Sequence, residues 1–109
     1  MNKVLLDSLK TWKTTVDRPV ALEIILLKQT YVLPWSQFLY AEGTNDAVRV
    51  AFATHDILVK GSGLDSLLAD LAVQRIAQLR EPSRADWFEN QSGSFSREIS
   101  VTKTDGEGL

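Results

Sequence analysis

The sequence predicts a single α+β domain, an antiparallel sheet of about four to five strands with one major helix over about 63–80 and a short N-terminal helix packed on it. Three observations carry this. Val48, Val50 and Phe52 alternate with Arg49, Ala51 and Ala53, the period of two that turns one set of side chains to a core and the other outward. Leu64, Leu67, Leu68, Leu71, Ala72, Ile76 and Leu79 recur at spacings of three and four, the stripe of an amphipathic helix. The strand-like runs are joined by hairpin-length links, which favours antiparallel neighbours with helices on one face.

From the N-terminus, Leu5, Leu9, Trp12 and Val16 fall on one helical face, with Asn2 as a cap, so a helix is expected over 3–16. A helix this short is marginal alone and must dock on the domain or on another subunit. Asp17, Arg18 and Pro19 end it. Residues 20–29 are apolar on both alternating faces, which suits a central strand. Tyr31 to Leu33 lead to Pro34, which belongs at a strand start or on an edge because it cannot donate to a ladder. A strand, or a turn followed by a strand, is expected over 35–41.

Glu42 to Asp46 form a polar turn before the strand at 47–53, and Ile57, Leu58 and Val59 suit a return strand at 56–60. Ser62 is the expected N-cap of the major helix, with Asp65 reaching back as a capping-box acid. Arg80 complements the helix C-terminus and Pro82 forbids continuation. Residues 83–95 are polar apart from Trp87, Phe88 and Phe95, a last strand is expected at 97–102, and the remainder, 103–109, reads as a frayed tail.

The 109 residues carry a formal net charge of -2, with 44% hydrophobic and 24% charged residues, an ordinary globular composition. The charge argues against a dedicated nucleic-acid binder, which neutralises phosphates with an excess of Lys and Arg. There is no cysteine, which excludes disulfides, thiolate metal sites and cysteine catalysis. No apolar run reaches the roughly 18 residues of a membrane helix. Asp7 and Ser8 interrupt what would have to be a signal-peptide core, so a cytoplasmic location is expected. Asn90-Gln91-Ser92 matches a glycosylation acceptor, which has no use without a secretory route.

Chemistry has few handholds. His55 beside Asp56 could be a base with its orienting acid, but neighbours on a strand face opposite ways. Ser62 or Ser66 would complete a triad without a nucleophile-elbow signature. Gly61-Ser62-Gly63 before a helix resembles an anion cradle, yet it lacks the longer glycine fingerprint and the lysine of a P-loop. One histidine and scattered acids give no metal cluster. No cofactor is expected.

What remains is a non-enzymatic protein-interaction or regulatory module, expected to engage a protein partner or itself as a homodimer. A nucleic-acid-binding accessory protein and a small hydrolase using His55 are the alternatives. The candidate interaction surface comprises the amphipathic Leu5, Leu9 and Trp12, the aromatic Trp35, and Ile99 and Val101 on a terminal strand whose edge could pair within or between chains.

Overall fold

The computed structural model describes residues 12–82 and 95–104. They form eight strands and one helix: β1 (Trp12–Thr14), β2 (Ala21–Ile25), β3 (Thr30–Pro34), β4 (Phe38–Gly43), β5 (Ala47–Phe52), β6 (His55–Ser62), α1 (Asp65–Ala72), β7 (Ile76–Arg80) and β8 (Phe95–Lys103). The first sheet has the order β1-β7-β2-β3 and the second β4-β5-β6-β8. The fold is thus mostly β. Two sheets stand where a single sheet under helices was expected, and one junction, β2 with β7, is parallel.

The two sheets meet at a corner. After β3 the chain turns through one 3-10 turn, Trp35–Gln37, and enters β4. Trp35 fixes that corner by three means. Its backbone N–H donates to the Val20 carbonyl (3.0 Å), its buried indole N–H donates to the Ile76 carbonyl (3.1 Å), and its ring lies 5.2 Å from that of Phe38 and 5.6 Å from that of Phe52. The inward residues of both sheets, among them Leu22, Ile24, Val50 and Ile57, join Leu64, Leu67 and Leu71 of α1 in one buried cluster. Each such aliphatic side chain contributes about 1.5–3 kcal/mol by leaving water. No buried side-chain polar atom of the described residues lacks a partner.

Several expectations hold at the level of elements. The strand expected at 47–53 is β5, that at 56–60 lies within β6, and that at 97–102 lies within β8. The segment 35–41 is a turn followed by a strand, and Pro34 ends an edge strand, β3.

Others are corrected. The helix expected at 63–80 stops at Ala72, and Ile76–Arg80 is a strand. A stripe running on from Leu71 would need Ala72 to bridge to Ile76, and Ala72 is exposed. Gln74 instead adopts a left-handed φ of 53°, which turns the chain back into the first sheet. Between Lys13 and Thr14 of β1 the register against β7 skips Ala77, leaving it as the extra residue of a bulge. That bulge lets Ile76 and Leu79, three apart, both point inward, and a spacing of three in a strand imitates a helix.

The strand expected at 20–29 is β2 followed by a turn closed by the Leu26 N–H on the Gln29 carbonyl (2.8 Å). Of the N-terminal helix expected at 3–16, Trp12–Thr14 is strand β1, while residues up to 11 lie outside the described residues. So do the glycosylation match at Asn90 and most of the expected tail.

The helix cap also differs. Ser62 belongs to β6, and the N-cap position is Leu64 with no side-chain cap of its own. The free amides are met from the β4–β5 turn, where the Asn45 carbonyl accepts from Leu64 N–H (3.0 Å) and the Asn45 side-chain oxygen from Asp65 N–H (3.3 Å).

Candidate interaction surface

The outward face of the second sheet follows from the register. Glu42, Arg49, Leu58 and Ser100 form one row across its four strands, and Tyr40, Ala51, Asp56 and Thr102 the next. Arg49 stands at the centre. Its guanidinium donates to Asp56 (3.1 Å), lies 3.7 Å from Glu42, and sits 5.7 Å from the centre of the Tyr40 ring. The hydrogen bond and charge of Asp56, with lesser contributions from Tyr40 and Glu42, raise the Arg49 pKa above its ordinary value. The cluster is exposed and so stabilises the fold little. Folding the hairpin about Ala53 and Thr54 brings Arg49 diagonally across from Asp56, so this pairing was readable from the sequence and missed. Beside it an open depression is lined by Glu42, Gly43, Thr44, Ala47, Arg49 and Leu58.

The sequence candidates fall elsewhere. Trp12 (3% exposed), Trp35 (6%) and Ile99 (4%) lie in the core, so none of them presents a surface, and Val101 is half-buried beside them. Trp12 also donates its indole N–H to Asp70 of α1 (2.9 Å), tying the short β1 to the helix. Leu5 and Leu9 lie outside the described residues.

His55 and Asp56 point to opposite faces of β6. The His55 ring packs edge-on against Tyr31 at 5.4 Å and its Nδ1 lies 2.8 Å from the Thr54 hydroxyl, whereas Asp56 is engaged by Arg49. Ser62 stands at the other end of the eight-residue β6, roughly 23 Å along the strand from His55. The Ser66 hydroxyl donates to the Gly63 carbonyl (3.1 Å). Among the described residues no three His, Asp or Glu side chains group as a metal site, and no helix is long and apolar enough to cross a membrane.

The outer edge of β8 is the remaining feature. β8 is nine residues long and pairs with β6 from Ser62 to His55. Among the described residues no strand lies on its other side. The Thr104 N–H donates to the Thr54 carbonyl (2.9 Å), which makes that position a hydrogen-bonded pair. Antiparallel alternation then points the peptide groups of Thr102, Ser100 and Glu98 toward β6 and those of Lys103, Val101 and Ile99 away from it. Opposite the step from Lys60 to Gly61, Arg97 is an extra bulged residue, so the regular outer edge runs from residue 98 to 104.

No protein-family model, curated protein or solved structure matches this chain.

Proposed function

We propose that this chain is a non-enzymatic protein-interaction module whose binding element is the outer edge of β8, to which an extended segment of a partner adds as a further strand. The observation that carries this reading is the run of outward peptide groups at Ile99, Val101 and Lys103, derived from the Thr104 hydrogen bond and the β6–β8 register. Strand addition takes its affinity from such main-chain groups and its selectivity from the alternate side chains beside them. Here those are Glu98, Ser100 and Thr102 on the outward face, all exposed.

The test is a pull-down from nuclease-treated lysate with the wild type and with Lys103→Pro. Lys103 is exposed and its N–H points away from β6, so proline there removes an edge donor and leaves the internal ladder intact. Proteins retained by the wild type and lost with the variant support the reading. Retention of the same proteins by both refutes it.

A further inference from the structure

Resting on that reading, we infer that the strand added to β8 is β8 of a second copy, antiparallel, with a two-fold axis through Val101. The regular edge is bounded by the Arg97 bulge at one end and the Thr104 hydrogen bond at the other. Residues 98 to 104 are symmetric about Val101. A two-fold axis perpendicular to a continuous sheet keeps inner faces together, so each residue pairs with one of like parity. Centring on Val101 uses the whole regular run and no residue of the bulge.

The pairs that follow are chemically compatible. Val101 meets the Val101 of the second copy, and Ile99 meets Lys103, through the peptide groups that point outward. Ser100 meets Thr102, and Glu98 meets Thr104. Every charge faces an uncharged residue, so no like charges oppose across the axis. Moving the axis to Ser100 would set Arg97 against Lys103, two cations, and would draw the bulge into the ladder. Val101 is the apolar residue of this run that its own chain leaves half-buried, whereas Ile99 is already covered. The axis therefore falls where apolar surface is still open, and the core rows of the second sheet, Val50-Ile57-Val101, continue into the partner.

The chain has no cysteine, so a single introduced thiol reports the register directly. Sedimentation of the full chain is expected to show a monomer–dimer equilibrium, weakened about tenfold or more by Lys103→Pro, which removes one donor from each copy. Under mild oxidation Val101→Cys is expected to form a disulfide dimer, because the α-carbons of a hydrogen-bonded antiparallel pair lie about 5.5 Å apart, within disulfide reach. Ser100→Cys is expected to cross-link slowly, since it would meet its own copy only diagonally, at about 7–8 Å.

Three outcomes would overturn the inference: a monomer up to about 1 mM, a dimer indifferent to Lys103→Pro, or cross-linking of Ser100→Cys as fast as that of Val101→Cys. A monomer that still loses lysate partners with Lys103→Pro would sink the second copy while leaving β8 as the binding element.

Discussion

Gly43 closes β4 opposite Val48, and it is the position where the smallest substitution has the largest expected effect. A β-carbon built there would lie 2.2 Å from the Ala47 carbonyl oxygen and 2.7 Å from the Val48 α-carbon, with the backbone at φ 159°. Both obstacles are backbone atoms of the paired strand, so no side-chain rotation relieves the clash. The ladder itself must open. Overpacking of this kind costs about 1–3 kcal/mol or more, and forcing a non-glycine residue into a sparsely populated backbone region adds about 1–3 kcal/mol.

The sum for Gly43→Ala, about 2–6 kcal/mol, is a large share of the roughly 5–15 kcal/mol that holds a domain folded. The damage also propagates, because the adjoining turn carries Asn45, whose carbonyl and side chain receive the first free amides of α1. Urea unfolding followed by tryptophan fluorescence measures the loss. Gly63→Ala serves as a control. Gly63 has a left-handed φ of 64°, so that variant is expected to cost about 1–2 kcal/mol through its backbone conformation. A Gly43→Ala loss below about 1 kcal/mol would refute the reasoning, since the paired backbone would then have moved at little cost.

Other variants follow from the same contacts. Trp35→Phe leaves the Ile76 carbonyl without its buried donor and opens a space at the corner, so thermal unfolding should report a loss of about 2–4 kcal/mol; a loss under about 1 kcal/mol would mean the corner does not depend on the indole. Gln74→Gly places the natural residue for φ 53° after α1 and is expected to stabilise by some tenths of a kcal/mol up to about 1. An unchanged or lower melting temperature would contradict it. Asn45→Ala removes the side-chain acceptor for Asp65 N–H and should cost about 1 kcal/mol, with increased amide exchange in the first turn of α1 as its local signature. Arg49→Met breaks an exposed cluster and should change stability by no more than about 1 kcal/mol.

The strands were legible where one face is wet. β8 alternates because Glu98, Ser100 and Thr102 meet solvent, and β5 because Arg49 does so between the buried Val48 and Val50; alternation is what sequence periodicity detects. β7 was not legible, for two local reasons. Its bulge at Ala77 puts Ile76 and Leu79 on the same side at a helical spacing, and the left-handed turn that separates it from α1 sits on Gln74, a residue with no compositional signal for it. The parallel pairing of β2 with β7 was beyond reach for the same reason, since it requires a strand where a helix was read. At the candidate surface the ambiguity is of another kind. Large aromatics serve at interfaces and in cores alike, so their residue type leaves Trp12 and Trp35 open to either role, and it is their burial that places both in the core.

Among the described residues the sheet edges are not equivalent, and their differences bear on why β8 is the binding element proposed. β3 ends at Pro34, and β4 carries an unpaired residue at Leu39 between Phe38 and Tyr40. Proline and bulges are usual means of closing an edge to association. β8 has one such device, the Arg97 bulge, and it lies at one end and not in the middle. Its effect there is to set the length of the open run and leave that run regular. An added strand can therefore extend from 98 to 104 and no further toward the N-terminus of β8, which limits the main-chain hydrogen bonds to those of Ile99, Val101 and Lys103. At about 0.5–1.5 kcal/mol net for each hydrogen bond, against an association cost of at least about 4 kcal/mol, such an edge makes a weak and reversible contact by itself. A tight complex would need side chains as well, and those nearest the edge on the outward face are Glu98, Ser100 and Thr102. The Arg49 cluster lies two strands further in, so it contributes only to a partner broad enough to cover the face as well as the edge.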